Sequence, residues 1–320
     1  MAEPTNGFAW QRGGVICSGA IIYDILVRPM NQLAWGTTTF VESVEYHVGG
    51  NAANTSRALV KLGVAARLVG LVGRDPQGDL VLDELRRDGV DIHAVERTDL
   101  PTATTVVLVN QSGERQFLHR QGANRDAFAS PLTFDSALIE GAAHYHLASL
   151  FLMPRLRVHA AAMLRAARSA GLRTSMDTNW DAEGRWIRDL EPCLPHLDLL
   201  FMNEDEARMV TGSSDPAKAA SVVRAGGVRI AVMKLGRRGC AIYEADREIV
   251  CPAFEVEVRD TTGAGDCFVA GFLSALLGGE DIAAAGRFAN AVGALSVQKI
   301  GAVAGVLSRA EVEAWMRPEG

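Results

Sequence analysis

The stretch Val15-Ile16-Cys17-Ser18-Gly19-Ala20-Ile21-Ile22 is short, mostly apolar and β-branched, which predicts a buried first strand. It runs into Tyr23-Asp24. An acid just beyond the carboxyl end of a strand lies where open α/β sheets bind ligands, although an ordinary turn residue reads the same way. Further buried strands are predicted over 66–72, 173–177, 198–202 and 229–233, with a hairpin over 240–251. Helical stretches fall at 55–62, 79–88, 155–170 and 282–299, two of them closed by Gly63 and Gly301. The βα alternation predicts one α/β domain over residues 1–320, with a mainly parallel central sheet covered by helices.

Two zones break that texture. Residues 40–48 alternate polar and apolar, which marks a half-exposed antiparallel strand. Residues 104–110 and 114–119, joined by Gln111-Ser112-Gly113, read as a hairpin. Together they predict a small sheet standing off the main domain, built from about 24–48 and 102–121.

The candidate chemistry sits in a few polar strings. Asp260-Thr261-Thr262-Gly263-Ala264-Gly265-Asp266 precedes an apolar run suited to a buried helix. Its glycines let backbone N–H groups converge at a helix N-terminus, a site for anionic oxygens. An acid there would repel phosphate, unless Asp266 takes a proton from a hydroxyl while the amides receive charge from a transferring phosphoryl group. A glycine-rich turn with Asp266 as a cap is the plainer reading. The string closes with no Gly-Lys-Ser/Thr and lacks the third glycine of a dinucleotide fingerprint, which disfavours a hydride-transfer enzyme.

Gly49-Gly50-Asn51-Ala52-Ala53-Asn54 leads into a helix, and its asparagines can both donate to and accept from a polyol, or Asn51 can cap the helix. Asn203 and Glu206 start another helix three residues apart, a spacing that suits either a hydrated Mg²⁺ or a capping box. His144 and His146 share one face of a strand but have no third ligand spaced to join them, so a structural role is read. The helix 155–170, with Arg155, Arg157, Arg165 and Arg168, reads as a solvated face.

Composition narrows the classes. A net charge of −6 argues against a general nucleic-acid or membrane-surface binder. The five cysteines are scattered without a Cys-x-x-Cys pair, which fits free buried thiols in a reducing compartment. The first fourteen residues lack the apolar core of a signal peptide, and no apolar run reaches a membrane span, so a soluble cytoplasmic protein is expected.

The string 260–266 closely resembles the C-terminal signature of the ribokinase-like (PfkB) carbohydrate kinases, and Gly49-Gly50-Asn51 resembles that family's sugar-binding motif. The resemblance covers residues 15 to about 305. It implies a ribokinase-like three-layer sandwich with a small β-sheet lid over the sugar, and transfer of the γ-phosphoryl of ATP to a primary sugar hydroxyl. Asp24, Gly50, Asn51 and Asn54 would hold the substrate. Asp266 would act as base, with the amides of Gly263, Ala264 and Gly265 stabilising charge. Asn203, Lys234, Gly236 and Asn290 would contact ATP, Glu206 would hold Mg²⁺ through water, and Asp260 and Thr262 would hold K⁺ with carbonyls of 297–306. Residues 177–180 would lie near substrate and phosphates. From its place after the hairpin, Asn124 is expected under the lid, and the exposed lid edges lead to the expectation of a homodimer through the lid. A small neutral sugar is the expected acceptor. A ketodeoxy sugar acid or a nucleoside remains open, as does a silent sugar- or nucleotide-binding protein.

Overall fold

The computed structural model describes residues 10–33 and 35–317. The segment read for a signal peptide lies mostly outside the described residues. From the N-terminus come β1 (Gly14–Ser18), β2 (Ile22–Arg28), β3 (Ser43–Gly49), α1 (Asn51–Lys61), β4 (Ala66–Gly73), α2 (Pro76–Arg87) and β5 (Val95–Thr98). The chain continues through β6 (Thr104–Val109), β7 (Arg115–Arg120), α3 (Ser136–Ile139), β8 (Ala142–Leu147), α4 (Pro154–Ser169), β9 (Arg173–Asp177) and α5 (Ile187–Leu190). It ends with β10 (Leu199–Asn203), α6 (Glu204–Thr211), α7 (Pro216–Ala225), β11 (Ile230–Lys234), β12 (Cys240–Glu244), β13 (Arg247–Cys251), α8 (Ala264–Leu277), α9 (Ile282–Ser296) and α10 (Arg309–Trp315).

Among the described residues, nine strands form the large sheet in the order β13-β12-β11-β10-β9-β8-β1-β4-β5. It is parallel except at one edge, where β12 pairs antiparallel with β11 and β13 antiparallel with β12. Successive side chains of a strand point to opposite faces, so a strand covered on both sides must be apolar throughout. In β1, Val15 and Cys17 enter one core while Ile16 enters the other. Leu199 and Phe201 of β10 likewise separate from Leu200 and Met202. One core is closed by α1, α2, α8, α9 and α10, and the opposite one by α4, α6 and α7. The helix α8 is apolar nearly all round and buried from Asp266 to Leu277, as a central helix must be. Phe272 meets Phe201 edge-on at 5.3 Å between ring centroids. Among the described residues no helix is long and apolar enough to cross a membrane.

The smaller sheet has the order β3-β2-β6-β7. Its strand β2 corrects the expectation of a single strand over 15–22. The chain leaves β1 at Ser18, turns through Gly19 and re-enters extended structure at Ile22 as the first lid strand. Asp24 therefore lies inside β2 rather than beyond a strand end. Two helices also start earlier than expected, α1 at Asn51 and α2 at Pro76, where Asp75 caps α2 by accepting from the Gly78 amide at 2.8 Å.

Register defines the two faces of the lid. Asp24 pairs with His47 and Thr105, and Thr105 with His119. Leu26, Glu45, Val107, Phe117, Val109 and Arg115 share that underside by the same alternation. Ile25, Val27, Val44, Tyr46, Val106 and Leu118 lie on the opposite face, where Ile25 packs against the main core and Val44, Tyr46 and Leu118 are exposed.

Candidate active site

Two helix N-termini meet beneath the lid. Gly50 precedes α1 at φ 95°, and a Cβ there would come within 2.2 Å of the Ala20 carbonyl oxygen. That backbone path brings Asn51 and Asn54 over the start of α8. Gly263 precedes α8 in the left-handed region at φ 69°, a conformation that glycine adopts without a Cβ penalty. Asp266 follows in the first turn of α8 and is buried.

Asp266 Oδ1 accepts from Asn51 Nδ2 at 2.9 Å, and its Oδ2 accepts from Asn54 Nδ2 at 2.8 Å. Ser149 donates to Asn51 Oδ1 at 3.0 Å, which fixes the amide with its nitrogen towards the acid. Asn51 is thus neither a helix cap nor aimed first at a polyol: both asparagines clamp the carboxylate. Asn54 Oδ1 is left as a buried acceptor without a hydrogen-bond partner. Burial pushes the Asp266 carboxyl above its ordinary value, outweighing the hydrogen bonds from Asn51 and Asn54 and the Lys234 charge, which act to lower it.

Asp24 faces this centre from the lid. A Cβ on Gly49 would fall 1.9 Å from Asp24 Oδ2, so the lid acid sits directly over the chain leading into α1. Burial pushes Asp24 up to about 6, against a hydrogen bond to Thr105. The Thr105 hydroxyl also lies 3.0 Å from His119 Nδ1. A hydroxyl has one proton, so if Thr105 donates to Asp24, His119 must donate from Nδ1, leaving Nε2 as an acceptor. Thr105, His119 and Ser149 were missed from sequence. The alternation of β6 placed Thr105 on one lid face, but only the register joins it to Asp24.

On the other side of the α8 N-terminus opens a cleft of about 640 Å³. Its walls include Phe254, Val256, Phe268 and Val297, with Lys234, Gly236 and Gly265 at its polar end. A Cβ on Gly265 would lie 3.3 Å from Lys234 Nζ, which puts an ammonium beside the first-turn amides. Lys234 pairs with Asp177 at 2.5 Å. Burial works against its charge, but Asp177, Glu206 and Asp266 together hold its pKa above the ordinary value. Asn290 also lines the cleft, yet its amide donates to the Cys251 and Pro252 carbonyls at 2.9 and 3.1 Å, so it braces the wall.

Asn203 and Glu206 form a reciprocal capping box at the start of α6. Glu206 Oε2 also accepts from Thr178 Oγ1 at 2.8 Å. The other carboxylate oxygen leaves Glu206 able to take a hydrated Mg²⁺, which typically binds one or two carboxylates together with phosphate oxygens. The K⁺ expectation fits less well. Asp260 Oδ1 accepts from the Thr262 amide at 2.7 Å and pairs with Arg115, Oδ2 accepts from the Gly301 amide at 2.8 Å, and Arg115 donates to Thr262 Oγ1 at 2.6 Å. A guanidinium already satisfies the acid that the ion would need.

Two other expectations change, for Asn124 and for Arg157. Asn124 is buried and bonded to the backbone of Ile21, so it ties the start of β2 and does not reach under the lid as a free group. Asn179 accepts from the Phe151 amide at 3.1 Å. Arg157 is not on a solvated face: its side chain is 6% exposed and pairs with Asp181 and Asp189. His144 and His146 are buried and share the Ser175 hydroxyl, at 2.7 and 2.8 Å.

Comparison with known proteins places this geometry. The family model described as pfkB family carbohydrate kinase matches residues 14–309. An ATP-dependent ribose-1-phosphate kinase of Halopiger xanaduensis is 32% identical over 299 residues, covering 90% of this chain and 93% of that protein. Fructokinase-2 of Oryza sativa is 30% identical over 271 residues, 80% of each chain. Arabidopsis thaliana ribokinase, solved with ribose and ATP, superposes with a TM-score of 0.84 at 26% identity, over 95% of this chain and 98% of that one. The two-sheet α/β architecture is therefore that of the ribokinases.

Proposed function

We propose, from the premise that this chain belongs to the pfkB family of carbohydrate kinases and is a phosphotransferase, that it transfers the γ-phosphoryl of ATP to a primary hydroxyl of a small neutral sugar, ribose- or fructose-like. The observation that carries the reading is the Asp266 carboxylate, clamped by Asn51 and Asn54 beside the first-turn amides of α8.

In this reading the sugar lies between the lid and α1. Asp24 and the unpartnered Asn54 Oδ1 accept from its hydroxyls. ATP fills the cleft, with its phosphates towards Lys234, Gly236 and the amides of Gly263, Ala264 and Gly265. The attacking hydroxyl gives its proton to Asp266 as its oxygen bonds to the γ-phosphorus. The bond from that phosphorus to the β,γ-bridging oxygen breaks, and ADP departs with the electron pair. Charge building on the phosphoryl oxygens is met by the helix amides and the Lys234 ammonium, both fixed before the reaction starts. Glu206 would hold a hydrated Mg²⁺, which would supply neutralisation of the phosphate charge. Lid closure excludes water that would otherwise take the phosphoryl group.

A neutral acceptor is supported by the lid's own charge pairing. On its underside Arg28 is bonded to Glu45 and Arg115 to Asp260, so neither guanidinium is held ready for a carboxylate or phosphate. A phosphorylated pentose is the second reading, favoured by the 32% identity to a ribose-1-phosphate kinase. The same reading takes the outer lid face, where Val44, Tyr46 and Leu118 are exposed, as the contact of a homodimer.

The test is ADP release with Mg·ATP over ribose, fructose, ketodeoxygluconate, ribose 1-phosphate and several nucleosides, with the product identified by phosphorus NMR. Turnover of ribose or fructose at the primary hydroxyl supports the reading. Turnover of ribose 1-phosphate alone selects the second. Binding of ATP with no turnover on any acceptor overturns both in favour of a silent binding protein.

A further inference from the structure

The contact between Arg115 and the catalytic loop joins a lid strand to the turn that sets the anion-binding amides. Arg115 opens β7, and its guanidinium pairs with Asp260 through one terminal nitrogen while donating to Thr262 Oγ1 at 2.6 Å through the other. Asp260 is 7% exposed at its side chain and Arg115 18%, so water screens the pair little. Asp260 also accepts from the Thr262 amide on the same oxygen and from the Gly301 amide on the other. One carboxylate thus joins three segments: the lid, the loop before α8, and the loop after α9. The charges balance one to one.

We propose that Arg115 is a positioning residue that serves as the built-in cation of the catalytic loop, so that phosphoryl transfer needs no monovalent metal ion. Two cations cannot share Asp260 cheaply. At a few ångströms in a poorly screened site, like charges repel strongly, and neither Asp260 oxygen is left without a hydrogen-bond partner. The guanidinium does for the loop what a bound ion would do. It neutralises Asp260, ties Asp260 to Thr262, and thereby holds the turn that carries Gly263 into α8. It differs from an ion in one respect. Because it is attached to β7, the charge reaches the loop only when the lid lies over the site, which couples lid position to the geometry of the anion-binding amides.

This inference rests on the phosphotransfer reading for its kinetic arm only. Turnover of the wild-type protein on its acceptor is measured in K⁺ and in choline of equal ionic strength, and thermal unfolding is followed in the same two salts. The expected result is turnover equal within about twofold and a Tm indifferent to the cation. Turnover at least tenfold higher in K⁺, or a Tm raised specifically by K⁺, overturns the proposal without recourse to any variant.

Arg115→Ala then tests the charge itself. It is expected to lower kcat in choline by at least tenfold while leaving the KM for ATP within about threefold, and to regain turnover and Tm in K⁺ as the ion enters the vacated place. Full kcat in choline, or a loss that K⁺ does not recover, overturns the role. If no acceptor is turned over at all, the Tm comparison of the two proteins in the two salts still decides it.

Discussion

In the nine-stranded sheet, β1, β10 and β11 are apolar at nearly every position and helices cover both faces. In the lid, β3 alternates in burial and β7 is largely exposed; one face carries Asp24, Glu45, His47, Thr105, His119 and Arg115, and the other leaves Val44, Tyr46 and Leu118 open. A sheet buried on both sides has no position to spare for chemistry, so the polar groups of the candidate site come from the ends of β9 and β11 and from the N-termini of α1 and α8. A one-sided sheet can place a polar group at every second residue. The site is assembled where the two meet, with Asp266 and its asparagine clamp from the platform and Asp24 from the lid. Stability should therefore reside in the first sheet and acceptor binding in the second.

Phe272→Ala probes the platform. This fully buried ring packs on Phe201 and Phe268, and its removal is expected to cost about 3–5 kcal/mol of unfolding free energy in a urea titration. A loss below about 1 kcal/mol would dissolve the contrast.

Asp24→Asn probes the lid. Losing a charged hydrogen-bond partner is worth about 1.5–3 kcal/mol, so the acceptor KM should rise by roughly tenfold to a hundredfold. Stability should not fall. The folded Asp24 has its pKa raised to about 6 from 3.8, so the folded state holds this proton more tightly than the unfolded chain. Its contribution to stability is full below pH 3.8 and lost as pH rises through 6, so above pH 6 the Asn variant should be at least as stable as the wild type. With Asp24 pushed up to about 6, and Asp266 raised by burial as well, activity should rise with pH on an acid limb above the ordinary carboxylate range. Full kcat/KM at about pH 4.5 would contradict it.

Thr105→Val is the finest probe. It removes the hydroxyl between Asp24 and His119, a loss of about 1 kcal/mol, and should raise the acceptor KM about fivefold with kcat and Tm little changed. An unchanged KM would mean that the lid acid works without this neighbour.

The parts of this design legible beforehand were local. The buried strands, the hairpin over 104–119 and the string 260–266 each carry their signal within a few residues. The missed features depend on distant pairings or on signals that two structures share. Residues 15–22 are apolar on both sides of Gly19, so hydrophobicity alone does not mark where the chain passes from one sheet to the other. The spacing of Asn203 and Glu206 is the same for a cap and for a metal site, and the structure displays the cap. Arg157 reads as solvated because its partners, Asp181 and Asp189, lie beyond the next strand. Arg115 stands 145 residues from Asp260, and nothing in either neighbourhood announces the other.

The most direct test of the account is Asp266→Asn, measured for binding and turnover on the same preparation. The neutral amide keeps the size of the side chain but cannot take a proton from the acceptor. ATP and acceptor binding by calorimetry should stay within about threefold of the wild type, and kcat should fall by roughly 10²–10⁴-fold, the usual contribution of a positioned general base. Turnover within about threefold of the wild type, with binding intact, would contradict the assignment of Asp266 as the base.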